Sequence, residues 1–356
     1  MLIIDAHLDL AWNALQWNRD LQQSVYNIRI QEQQLTEPGR GQNTVALPEL
    51  RKGRVALCFA TVLARSTGQP SPNVDYSSPL QAYAVVQGQL KYYSALQEAG
   101  EIRLIRNLSD LDEHISAWQA WERKPLPPQP ALGLVISMES ADPILKPNQL
   151  SVWKEAGLRL IGPAHYGEGR YAGGTLTELG LTSDGKALLH EMDGQGLILD
   201  LTHLSDPAFW EALDLFSGVV IASHNNCRVL VPHQRQFSDE QIHAIIERDG
   251  VIGAAFDNWM IRPGWERGAK NKPPVTMVHV VEHIDHVCQL AGDSQHAAIG
   301  SDLDGGFGRE QSPADLDTIA DLQHLTEILS ARGYRDNDIE SIMYGNWLRL
   351  LRLAWK

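Results

Sequence analysis

The residues best placed to do chemistry begin at the start of this 356-residue chain, where the apolar run Leu2-Ile3-Ile4 leads into Asp5-Ala6-His7-Leu8-Asp9. Alternate side chains of a strand share a face, so His7 and Asp9 point the same way. An imidazole and a carboxylate held two residues apart at a strand's end chelate a divalent cation such as zinc. Alone the triplet is a weak signal, because His beside Asp also serves as a hydrogen-bonded structural pair. Similar residues recur further on: Glu139, His165, His203, His224, and Asp302 with Asp304.

Each of these follows a short aliphatic or β-branched run. The runs are Leu2 to Leu8, Val55 to Leu63, Leu132 to Met138, Leu158 to Ile161, Leu197 to Leu201, Val219 to Ala222, Val251 to Phe256 and Ala297 to Ile299. Helical periodicity lies between most of them, over Leu80 to Glu98, Asp184 to Asp193, Pro207 to Phe216, Asp239 to Arg248, Met277 to Leu290 and Leu316 to Arg332. Ser238-Asp239-Glu240-Gln241 reads as a capping box, and Asp206-Pro207 as an N-cap followed by proline. Continuous rather than alternating hydrophobic strands indicate a parallel sheet covered on both faces. Eight strand and helix units predict a (β/α)8 TIM barrel forming one domain over 1–356. No Gly-x-Gly-x-x-Gly follows the first strand, which counts against a doubly wound sheet. In the barrel, active sites form at the C-terminal strand ends. His7 and Asp9 close run one, Glu139 run three, His203 run five and His224 run six; His165 follows run four and Asp302 run eight. Any one of them has a structural reading, as a satisfied core histidine or a capping carboxylate; six strand ends carrying such residues together point to a site.

Composition narrows the partners. Hydrophobic residues at 43% and charged residues at 21% give an ordinary globular chain. A net charge of −14 argues against nucleic acid and anionic membranes. No run approaches a membrane span, and no basic and apolar leader precedes the first strand. Cys58, Cys227 and Cys288 are odd in number and far apart, so we expect reduced thiols and a cytoplasmic protein.

The ordered set Asp5-Ala6-His7-Leu8-Asp9, the Glu139 strand end, Leu199-Asp200-Leu201-Thr202-His203-Leu204-Ser205, Ala222-Ser223-His224-Asn225-Asn226 and Gly300-Ser301-Asp302-Leu303-Asp304-Gly305 resembles the membrane dipeptidase family of metal-dependent amidohydrolases. Arg235, Ser238 to Gln241 and Gly250-Val251-Ile252-Gly253 also resemble it. The resemblance implies a zinc dipeptidase with two Zn2+ ions: His7 and Asp9 on one, His203 and His224 on the other, Glu139 bridging both. It implies attack by a metal-bridging hydroxide, with Asp302 carrying the proton. It further implies that Arg235 receives the substrate's terminal carboxylate and that His165 contacts the scissile carbonyl or tetrahedral oxygen. A small dipeptide, tolerated with a D-residue at its C-terminal position, is the implied substrate, and a homodimer the implied assembly. The alternatives are an amidohydrolase acting on a non-peptide amide, lactam or ester, and a binding protein that keeps the barrel without catalysis.

The chain departs from the family pattern at Ser140, where glycine usually follows the bridging carboxylate, at Pro163-Ala164-His165-Tyr166-Gly167, where Thr-His-Asn is usual, and at Gln236. A second metal-like motif, His279-Val280-Val281-Glu282-His283, falls mid-helix on the expected outer layer, so His283 and His286 are read as packing or capping residues. The stretches Ala11 to Leu50 and Asn258 to Pro274 follow strand ends and should overhang the site, with Trp12, Trp17, Trp259 and Trp265 as candidate apolar walls.

Overall fold

Strands without polar alternation must be covered on both faces, and the computed structural model, which describes residues 1–269 and 274–356, shows how. The strands are β1 Ile3–Leu8, β2 Val55–Leu63, β3 Ile102–Leu104, β4 Leu132–Glu139, β5 Leu158–Gly162, β6 Ile198–Asp200, β7 Val220–Ala222, β8 Val251–Ala254 and β9 Ala297–Ile299. Every residue of β1, β2 and β4 is buried. All pairings are parallel, and β1 pairs with both β2 and β9. Because β2 also pairs with β4 through Leu57↔Gly133 to Leu63↔Glu139, eight strands close into a TIM barrel. They correspond to the eight hydrophobic runs. The short β3 stands outside the ring, paired with the start of β4 through Ile102↔Leu132. Its three residues include the half-buried Arg103, and so small a run leaves no periodic signal.

Helices cover the barrel over Pro79–Glu98, Leu108–Arg123, Ser183–Gln195, Asp206–Leu215, Asp239–Glu247, Met277–Ala291 and Asn346–Ala354. Local chemistry sets their starts. Ser238 Oγ accepts from Gln241 N at 3.3 Å while Gln241 Oε1 accepts from Ser238 N at 2.9 Å, completing the capping box. The cap before Pro207 is Ser205, whose Oγ accepts from Ala208 N at 3.2 Å. Asp206 instead sits in the first turn and pairs with Arg228 at 2.7 Å. The expected helix Leu316 to Arg332 is divided, with 3-10 geometry over Ile319–His324 and α-helix over Leu325–Arg332. Thr318 and Asp321 cap that tighter turn, and Ile319 N donates back to Thr44 O at 3.0 Å.

Strand register brings the C-terminal ends level. Glu139 lies opposite Leu63 on one side and Gly162 on the other. Two buried aspartates hold neighbouring ends together. Asp5 accepts from His7 N at 3.1 Å and Ser301 N at 2.9 Å, tying the end of β1 to the chain after β9. Asp200 accepts from Thr202 N at 3.1 Å and Ser223 N at 3.0 Å, tying β6 to β7.

Candidate metal centre

At this mouth the side chains of His7, Asp9, Glu139, His203, His224 and Asp302 converge. Glu139, on the last residue of β4, lies at the middle. Its Oε1 is 3.2 Å from His203 Nε2 and 3.4 Å from His224 Nε2, while its Oε2 is 3.7 Å from His7 Nε2. His7 Nε2 is also 3.7 Å from Asp9 Oδ2 and 3.7 Å from Asp302 Oδ1. Three groups here have ligand atoms all within 4.8 Å of one another: His7 with His224 and Asp302, Glu139 with His203 and His224, and His7 with Asp9 and Glu139. Glu139 is shared between two of them, the arrangement a binuclear metal site needs.

The polar bookkeeping at the mouth fits cations. His7 Nδ1, His7 Nε2 and Asp9 Oδ1 are buried without hydrogen-bond partners, which buried polar atoms rarely are. The outer nitrogens of the other two histidines are partnered. His203 Nδ1 lies 3.0 Å from Thr175 Oγ1, which is itself 3.3 Å from the His203 carbonyl. His224 Nδ1 lies 2.9 Å from Ser223 Oγ. If each Nδ1–H donates to its hydroxyl, each Nε2 lone pair faces Glu139 and is free to bind metal. Imidazole and carboxylate donors together suit zinc and its neighbours.

Electrostatics agree with that reading. Burial disfavours the His7 cation, yet the carboxylates of Glu139, Asp9 and Asp302 outweigh burial and raise its pKa to about 10. Burial holds His203 and His224 well below the usual imidazole range, aided by the Arg235 charge. It pushes Glu139 up and Asp302 well above the usual carboxylate range. Glu139 and Asp302 thus sit where burial favours their neutral forms unless a divalent cation supplies the compensating charge.

Backbone strain accompanies the site. His203 and Asp302 occupy the left-handed region, at φ 68° and 57°. Ser140, standing where the resembled family has glycine, does so at φ 70°. A Cβ on Gly305 would fall 1.9 Å from Asp302 Oδ1, so only glycine fits against that carboxylate.

A cavity of about 380 Å³ opens above these residues. Asp9, Glu139, His165, His203, His224, Arg235 and Asp302 line it. Arg235, 2% exposed, donates from Nη1 to Asn225 Oδ1 and from Nη2 to the His224 carbonyl at 2.9 Å. Gln236, longer than asparagine, reaches Met260 O at 2.6 Å. Trp12 and Trp259 form walls as expected, but Trp17 packs behind Trp12 and Trp265 lines a separate cleft. Residues 270–273 of the overhanging segment lie outside the described residues.

Asp304, which follows β9 beside Asp302, turns away from the cavity. It accepts from Thr44 N at 2.7 Å and Val45 N at 3.0 Å and anchors the loop after β1. The His279-x-x-Glu282-His283 motif is structural: His283 Nδ1 accepts from Cys227 N at 3.1 Å and its Nε2 faces Ile261 O at 3.1 Å. His286 Nε2 meets Asp239 at 2.8 Å and joins two helices.

Sequence reasoning passed over Arg65, Tyr166 and Asp257, all of which line the cavity. Asp257 follows β8 by three residues, and its position after a strand end was the available signal. Arg65 follows β2 by two, but an arginine near a strand end is common and carries no spacing signal.

A family model described as membrane dipeptidase, peptidase family M19, matches residues 1–355. An uncharacterised Klebsiella pneumoniae protein from the pqqA 5′ region is 31% identical over 58% of this chain and 76% of that protein. Dipeptidase aclJ of Aspergillus oryzae is 24% identical over 98% of this chain and 77% of that one. The crystal structure of a Rhodobacter sphaeroides metallo peptidase bound to a phosphinate mimic of L-Ala-D-Ala superposes with TM-score 0.77 at 22% identity, covering 100% and 99% of the two chains, and shares the fold. Despite the family's name, no helix among the described residues is long and apolar enough to cross a membrane. The chain belongs to the membrane dipeptidase family, peptidase family M19, and is a metallo-dipeptidase, a hydrolase of peptide bonds.

Proposed function

We propose that the chain is a zinc dipeptidase cleaving small dipeptides that bear a free C-terminal carboxylate, with a D-residue accepted at that position. The observation that carries the reading is Glu139, one carboxylate whose two oxygens face different histidine sets. His7 and Asp9 would hold one zinc ion, His203 and His224 the other, and Glu139 both. When bound, the ions supply Lewis acidity to the scissile carbonyl and lower the pKa of the attacking water.

The remaining steps belong to side chains. Asp302 Oδ1, 3.7 Å from His7 Nε2 at the cavity floor, takes the proton from the attacking water and returns it to the leaving amine. Burial, which favours its protonated form, suits it to holding that proton between the two steps. His165 Nε2, 3.8 Å from Glu139 Oε1, faces the tetrahedral oxygen. The Arg235 guanidinium, already oriented by Asn225 and the His224 carbonyl, receives the substrate carboxylate. A cavity of about 380 Å³ is at the small end of ligand pockets, and Trp12, Trp259 and Met260 close its sides. That favours two residues over a longer peptide. The L-Ala-D-Ala mimic held by the Rhodobacter relative supports tolerance of a D-residue.

The test is a zinc titration of the metal-free protein on L-Ala-D-Ala. Activity should rise to a break at two equivalents per chain. A break at one equivalent, or none, contradicts the two-ion reading.

A further inference from the structure

His165 stands in a setting the family resemblance did not anticipate, and its outer nitrogen has an unusual partner. Nδ1 lies 2.9 Å from Arg65 Nη1. A guanidinium has donors and no acceptor, so Nδ1 must present its lone pair and the ring proton must sit on Nε2. Nε2 is the nitrogen directed at the metal centre, 3.8 Å from Glu139 Oε1.

Arg65 is itself held in place from two sides. Its backbone N donates to Val74 O at 2.9 Å and its carbonyl accepts from Tyr76 N at 2.8 Å, folding the loop after β2 back on itself. Its Nε lies 2.9 Å from Asp75 Oδ2, and Asp75 accepts from Thr67 N at 3.1 Å and Thr67 Oγ1 at 2.6 Å. Asp75 is 4% exposed, so this ion pair is shielded from water. The result is a relay of fixed groups from Thr67 through Asp75 and Arg65 to the His165 ring.

We propose that Arg65 is a positioning residue that fixes His165 as its Nε2–H tautomer and aims that N–H at the oxygen that becomes negative during hydrolysis. The arrangement is opposite to the one His203 and His224 would need for metal, with Nδ1–H donating to the facing hydroxyls and the Nε2 lone pairs inward. With metal bound, one mouth would hold two histidines set to accept and one set to donate. With the ring proton on Nε2, that nitrogen has no lone pair with which to act as a base and faces the centre as a hydrogen-bond donor. This inference rests on the proposed reading of His165 as a contact of the tetrahedral oxygen.

The experiment combines nitrogen-15 NMR of histidine-labelled, zinc-loaded protein with kinetics of R65M, R65K, H165A and R65M/H165A on L-Ala-D-Ala. The His165 resonances, identified by their loss in H165A, should report a protonated Nε2 and a bare Nδ1. R65M should bind two zinc ions, lower kcat about tenfold or more with little change in KM, and show a mixture of tautomers. R65K, which keeps a cation beside Asp75 and a donor near Nδ1, should recover part of kcat. R65M should add nothing in the H165A background, because both changes remove one interaction. A protonated Nδ1 in the wild type overturns the proposal, as do additive losses in the double variant. Wild-type kcat in H165A would instead overturn the reading of His165 itself.

Discussion

Replacing Thr175 with valine tests how the centre prepares a histidine for metal. Thr175 is 1% exposed, and valine keeps its shape while deleting the oxygen 3.0 Å from His203 Nδ1. With metal on Nε2, the Nδ1–H must be present and would be buried without an acceptor. A buried donor left unpaired costs about 1–3 kcal/mol. The metal-free protein bears less of this cost, because the ring proton can move to Nε2 and face Glu139 Oε1 at 3.2 Å, leaving only an unpaired lone pair at Nδ1. The larger share of the cost therefore falls on metal binding. At 1.4 kcal/mol per factor of ten, zinc affinity should fall roughly 5- to 150-fold, within reach of the 10- to 100-fold typical for outer partners of ligating histidines. Competition against a chromophoric chelator measures the affinity, and thermal unfolding of the metal-free variant serves as the control. S223A should act likewise through His224. Wild-type zinc affinity in T175V, with the metal-free protein equally stable, would refute this account of the tautomers.

Further outcomes follow from the same geometry. D302N should keep two zinc ions yet lose about 10²- to 10⁴-fold in kcat, as expected for removal of a positioned proton carrier; full turnover shows the carrier to be another group. S140G should raise stability by about 1 kcal/mol, because Ser140 holds φ 70° at the cost of Cβ strain that glycine lacks; chemical denaturation reads this, and a destabilised variant contradicts it. Burial raises the Asp257 pKa to about 7, against the donors Gln311 and Trp259. Folded protein thus binds the proton more tightly than unfolded chain, whose aspartates titrate at about 3.9. This contribution to stability is present at acid pH and lost as pH rises from about 4 through about 7. Metal-free D257N should therefore lose less stability than wild type between pH 5 and pH 8 in thermal melts, and parallel pH profiles count against the assignment.

The site was legible where side-chain type and strand period coincide. His7 and Asp9 announce themselves by their two-residue spacing after an apolar run, and Glu139, His203 and His224 by closing runs of the same kind. Asp304 satisfied the same rule but turned outward, because the left-handed backbone at Asp302 and Asp304, φ 57° and 65°, breaks the alternation on which the rule depends. Arg65 escaped notice for a different reason. Its role comes from Asp75, ten residues on, and from His165 on another strand end, and no local pattern encodes a contact across a barrel mouth. The aspartates Asp5 and Asp200 could have been found, since each lies two or three residues before a candidate ligand histidine and accepts from the backbone N–H two residues on. In the fold, β3 was invisible at three residues, and the helix expected over Leu316 to Arg332 divides where Thr318 and Asp321 impose a tighter turn.

The most direct measurement is amine release from L,L and L,D dipeptides, each paired with its C-terminal amide, by protein carrying two zinc ions and by its R235A variant. Turnover should be confined to free-carboxylate dipeptides, include L,D members, and fall sharply in R235A. No turnover of any dipeptide with both ions bound, or equal turnover of the amides, would contradict the assignment.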